Sequence, residues 1–139
     1  MFQRLTRRQP SNRRGAVIVE FAICAPIFFM VIFALIEFSW LNVIRHTADN
    51  AAYEASRTAM VPGATADEAV AEAQRIMSAV GTRGATISVD PKVVTSDTSE
   101  VTVRVQVPVD NNLLLLPTFS RGRTIDTRAT LRTERVETR

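Results

Sequence analysis

Hydrophobic and polar positions along this 139-residue chain change period three times. Residues 16–41 are almost wholly apolar, and residues 21–36 carry no charge. Crossing about 30 Å of hydrocarbon takes about 20 mostly apolar residues, so this run predicts a membrane-spanning helix. Pro26 falls inside it. A proline removes one backbone hydrogen bond and crowds the preceding turn, which predicts a kink there. Past Ile44 the apolar positions narrow to a stripe, Ile44, Ala48, Ala51, Ala52, Ala55 and Ala59. That is helical spacing, so the helix continues beyond the membrane as a small-residue packing face until Pro62-Gly63. A second, amphipathic helix follows. Thr65 and Glu68 have the spacing of a capping box, Ala69, Val70, Ala73, Ile76, Met77 and Val80 give one apolar face, and Gly81 and Gly84 stop it.

The period then drops to two. Thr86-Ile87-Ser88-Val89 reads as a short strand ended by Asp90-Pro91. Val93 and Val94 either open another strand or belong to the same bent edge, and residues 95–99 read as a turn. Val101, Val103, Val105, Val107 and Val109 alternate with Thr102, Arg104, Gln106 and Pro108, which predicts a strand with one buried and one wet face. Residues 123–135 alternate again, with Ile125, Thr127, Ala129 and Leu131 on one side. The expected fold is α+β: one N-terminal transmembrane helix extended into a long helix, and a small antiparallel sheet packed with the second amphipathic helix. The expected organisation is a basic leader over residues 1–15, a transmembrane helix over 16–44 and an extracytoplasmic α+β domain over 45–139.

Charge sharpens this picture. Arg4, Arg7, Arg8, Arg13 and Arg14 precede Gly15 with no acidic residue among them, whereas from Arg45 onward 12 of the 17 basic residues face 12 of the 14 acidic ones. The net +3 therefore belongs to the leader. A basic cluster beside an apolar run places the N-terminus in the cytoplasm and the rest outside. A balanced folded part offers no basic face for nucleic acid. A secretory signal peptide also begins basic and then apolar, but its apolar region is shorter and ends in a small-residue cleavage site. Residues 39–45 carry no such pattern, so an uncleaved signal-anchor remains an alternative. Cys24, inside the apolar run, and His46 are the only residues of their types. A disulfide within one chain is impossible, and neither a His/Cys metal site nor a Cys/His or Ser/His catalytic system has its material. No cofactor motif is present, and an enzyme is not expected.

Two carboxylates flank the uncharged window. Glu37 lies near the far end of the span, beside Trp40, where a hydrated interfacial carboxylate and an indole at headgroup depth are both expected. Glu20 is different, because a carboxylate inside a lipid-seeking helix costs up to about 2.5–3.5 kcal/mol at mid-bilayer. Gly15 leaves its backbone open to a protease at the membrane face. If the Gly15–Ala16 bond is cut, Ala16 gains a charged amine four residues from Glu20, on the same helix face. The carboxylate could then meet its own amine or that of a neighbouring subunit, which offsets the desolvation of both. Leu113-Leu114-Leu115-Leu116-Pro117, between two strands, either packs under the sheet or forms an apolar patch that touches membrane or a partner.

Glycine followed by glutamate at the fifth position, behind a basic leader, resembles the type IV prepilin processing site. More closely, Arg14-Gly15-Ala16-Val17-Ile18-Val19-Glu20-Phe21-Ala22-Ile23, Ala25-Pro26 and Ile36-Glu37-Phe38 resemble the TadE-like family of pseudopilins from tight-adherence (Flp-type) pilus systems. The resemblance implies that Gly15 and Ala16 flank the processed bond, that Arg13, Arg14, Glu20 and Phe21 serve recognition and assembly, and that Pro26 kinks the helix. It implies a minor pseudopilin in the cytoplasmic (inner) membrane of a bacterial envelope. Its partners would be a prepilin peptidase, other Tad pilins and pseudopilins, the inner-membrane assembly platform and membrane lipid. Ala16 stands where standard prepilins commonly have Phe, and the C-terminal part is much longer than in the major Flp pilin. The alternative is an unprocessed, signal-anchored extracytoplasmic binding module, with an intact residue 14–16 segment and no requirement for Glu20.

Overall fold

The computed structural model describes residues 13–61, 63–94, 98–114 and 121–132. The leader residues 1–12, Pro62, most of the 95–99 turn, Leu115 and Leu116 of the leucine run, and the chain after Arg132 lie outside the described residues.

Helix α1, Arg13–Ala59, has 47 residues and continues on both sides of Pro26. At about 1.5 Å per residue it is a rod of roughly 70 Å. Its two halves differ as the apolar pattern requires. From Val17 to Ile36 the large side chains are exposed apart from half-buried Ile32, among them Ile18, Phe28 and Leu35. From Glu37 onward one face is covered, and Ile44, Ala48, Ala51, Ala52, Ala55 and Ala59 are fully buried. Helix α2, Ala66–Ala79, lies against that upper half with Ala69, Ala73 and Met77 buried. Alanine on both helices lets the backbones approach closely. The expected capping box is present: the Glu68 N–H donates to Thr65 Oγ1 at 3.3 Å, and the Thr65 N–H donates to Glu68 Oε2 at 3.0 Å. A polar cap of this kind is worth about 1 kcal/mol.

The sheet contains β1 Thr86–Asp90, β2 Glu100–Pro108 and β3 Thr124–Arg132, in the order β1-β2-β3 and antiparallel throughout. The central strand is the one with the strongest alternation. Val101, Val103, Val105 and Val107 are fully buried under the helices, each stabilising the fold by about 1.5–3 kcal/mol relative to exposure. α1 packs over β2 and β3, and α2 over β1, giving two layers with helices on one face only. Val93 and Val94 form no strand, and Val93 is exposed. A single 3-10 turn, Val109–Asn111, closes β2.

The polar face of the sheet is a ladder of cross-strand pairs. Glu100 stands opposite Arg132, Thr102 opposite Thr130 and Gln106 opposite Asp126. The first pair forms an ion pair at 2.6 Å, and the two threonine hydroxyls lie 2.8 Å apart. Arg104 faces Arg128 in register, a like-charge opposition that Arg104 relieves by turning diagonally to Asp126.

Candidate membrane-assembly site

Among the residues singled out in the sequence, the structure describes the backbone alone of Arg13 and Arg14, and both are helical. Gly15, Ala16, Glu20, Phe21 and Pro26 all lie on α1. A Cβ built on Gly15 would have nothing within 4 Å, so the helix itself does not require glycine there. Ala16 and Glu20 fall four residues apart on one continuous helix, and side chains of a helix tilt toward its N-terminus. The Glu20 carboxylate is thereby directed toward the turn that holds Ala16. Glu20 is exposed, and Phe21 beside it is 71% exposed. The helix from Gly15 is long and apolar enough to cross a membrane, and its most apolar window is wholly unburied in the isolated chain. Phe28, Phe29 and Phe33 form a run of ring contacts on its surface, at 5.8 and 6.3 Å between centroids.

The other end of the apolar stretch is built differently from expectation. Glu37 is buried, 5% exposed, rather than hydrated at an interface. Its two carboxylate oxygens accept from the Leu114 N–H at 3.1 and 3.2 Å. One turn on, half-buried Trp40 donates its indole N–H to the Asn112 carbonyl at 2.9 Å, so the ring is engaged by the head rather than standing alone at headgroup depth. Asn112 is the centre of this junction. Its side-chain oxygen accepts from the Arg83 N–H at 2.8 Å, and its amide donates to the Arg83 carbonyl at 2.9 Å and the Pro108 carbonyl at 2.8 Å. The neighbouring Gly84 has φ +71°, and a Cβ there would come within 2.9 Å of Asn111 Nδ2 and 3.2 Å of Pro108. The positive φ favours glycine at that crossing, and a Cβ there would also make Asn111 and Pro108 give way. Sequence reasoning missed this junction. Asn112 sits in an Asp-Asn-Asn stretch that reads as an ordinary turn, and nothing in its spacing points to Trp40, 72 residues away.

A groove of about 550 Å³ runs between α1 and the start of β3, with Phe38, Leu41, Val109 and Ile125 as apolar lining and Arg45 and Arg123 beside them. On the outer sheet face a hydrogen bond from Arg104 holds the Asp126 carboxyl below its ordinary value, and Asp126 in turn holds the guanidinium above its own. A hydrogen bond from Arg75 likewise lowers Glu72 on α2. Both pairs have structural explanations at the surface. Among the described residues no group of three His, Cys, Asp or Glu side chains could hold a metal ion.

These features define a class of architecture: one long helix apolar enough to cross a membrane, and a small α+β head seated on its C-terminal half. Residues 15–57 match the family described as TadE-like protein, a segment that begins at the glycine before the expected cut and ends in the alanine stripe. No curated protein and no solved structure matches the chain. A TadE-like segment on a membrane-type helix supports a protein associated with a Tad pilus system and its other components.

Proposed function

We propose that the protein is a minor pseudopilin, a membrane-anchored structural subunit that helps assemble an adhesive Flp/Tad-type pilus or related secretion machinery, and that it catalyses nothing. A prepilin peptidase cuts after Gly15, with Arg13 and Arg14 marking the cytoplasmic side, and leaves Ala16 as the new N-terminus. The processed helix then joins other pilins and the inner-membrane platform, while the α+β head stays outside. The observation that carries this reading is Glu20, an exposed carboxylate at the fifth position after Gly15, on a helix whose large side chains through Ile36 are otherwise apolar and, Ile32 aside, exposed. Such a charge is unfavourable in lipid unless paired, and a cut amine at Ala16 of this or a neighbouring chain supplies the pair.

Gly15→Val and Glu20→Leu separate processing from assembly. Gly15→Val is expected to block shortening of the chain, because a branched side chain crowds the scissile backbone. Glu20→Leu is expected to insert normally and yet fail to crosslink to other pilins. Normal shortening of the first variant would refute the cut site, and wild-type crosslinking of the second would remove the role assigned to Glu20.

A further inference from the structure

We propose that the head rests on the membrane leaflet nearest it, with Leu114 seated in lipid as a second point of contact beside the helix. This rests on the reading of α1 as a membrane span. The register of that span is narrowly bounded. The uncharged window, residues 21–36, is about 24 Å long at about 1.5 Å per residue. Hydrocarbon about 30 Å thick must therefore reach past one of its ends. Sliding toward the N-terminus is limited by Arg13 and Arg14, and about 20 residues counted from Gly15 already end near Leu35. Any slide the other way carries Glu37 deeper. The register that keeps both Arg14 and Glu37 out of the hydrocarbon thus places the lipid boundary at Glu37 or within a turn before it.

Leu114 is tied to that level. Its N–H is bonded to both oxygens of Glu37, whose side chain leans toward the helix N-terminus and hence toward the membrane. Leu114 is nevertheless 54% exposed, and Phe38, next to its anchor, is 66% exposed. Two large apolar side chains held at the edge of the hydrocarbon meet lipid as their surroundings. The same bond helps to satisfy the buried carboxylate. At the boundary, where water is scarce, the Leu114 amide satisfies Glu37 while the leucine side chain stays on the lipid side. The surface is continuous with the exposed apolar half of α1, which is why the occupant is a bilayer rather than a second protein.

The test uses the full chain in phosphatidylcholine–phosphatidylglycerol vesicles with an environment-sensitive fluorophore on a single cysteine. Three positions are compared: the native Cys24 inside the span, and Leu114→Cys or Val61→Cys in a Cys24→Ser chain. Val61 is exposed just past the far end of α1, whose last residue, Ala59, lies about 33 Å beyond Glu37. Leu114 serves the fold through its backbone N–H, which cysteine keeps. The label at Leu114 is expected to be quenched by lipids brominated near the top of the acyl chain several-fold more than the label at Val61, and to be shielded from iodide. A Leu114 label that behaves like Val61 while Cys24 is quenched by lipid overturns the proposal and leaves the membrane span standing. Shielding of Leu114 from both quenchers overturns it in favour of a protein partner. A Cys24 label unquenched by lipid overturns the span itself, and this inference with it.

Discussion

Asn112 holds three backbone groups on two segments with one buried side chain, and its own carbonyl receives Trp40. Removing the amide takes a partner from the Arg83 N–H and from the Arg83 and Pro108 carbonyls, all in part-buried bonds. An unsatisfied buried polar group costs about 1–3 kcal/mol. Asn112→Ala is therefore expected to destabilise the head by about 2–3 kcal/mol in denaturant unfolding of the full chain in micelles; a change below about 0.5 kcal/mol would mean the junction is held by other contacts. Thr127 poses the opposite case. It sits on the inner face of β3 opposite Val105, and its hydroxyl has no hydrogen-bond partner among the described residues. Thr127→Val replaces that hydroxyl with a methyl of similar volume and is expected to stabilise the fold by about 1 kcal/mol. A loss of stability would show that the hydroxyl has a partner in solution.

At the scale of elements, α1 does two jobs with one continuous backbone. Past Gly15 and apart from Glu20 its first half is apolar all round, as suits a lipid-facing helix. Its second half carries only the narrow stripe a soluble two-layer fold needs. The two patterns were legible because each has its own period and composition, and the valine alternation of β2 marked the centre of the sheet equally clearly. The polar face was legible only as polar; the diagonal reach of Arg104 to Asp126 depends on register. That pair has a pH signature. The Asp126 carboxyl is held below its ordinary value by the Arg104 hydrogen bond, so its contribution is present above the unfolded value near 3.9 and is lost as pH falls through the lower folded value. The melting temperatures of the wild type and Asp126→Asn should differ by a constant amount from about pH 7 to pH 5 and converge below about pH 4. A gap unchanged below that range would show that the pair contributes nothing in solution, as many exposed pairs do not.

For the whole molecule, the sequence disclosed the membrane-type helix, the fold class and the segment that matches the TadE-like family, because all three are local patterns. It did not disclose how the head meets the helix. Glu37 was expected to be hydrated because its depth was judged for a lone helix, whereas its partner comes from Leu114, 77 residues later. Trp40 fits a headgroup layer by type alone, yet it meets the Asn112 carbonyl for the same reason. Which strand β1 borders also depended on pairing that periodicity does not carry. The outcome is a head fixed directly on the end of its apolar helix by Glu37, Trp40 and Asn112, without a linker. Such a head would turn with the helix, which suits the proposed role of a subunit packed among others.

That purpose stands or falls on the state of the N-terminus. The decisive measurement is the N-terminal residue and intact mass of the protein extracted from membranes, in cells with and without the prepilin peptidase. Processing predicts a chain that starts at Ala16 when the peptidase is present and near Met1 when it is absent. A chain that still starts near Met1 in the presence of the peptidase would contradict the pseudopilin account and leave a signal-anchored head.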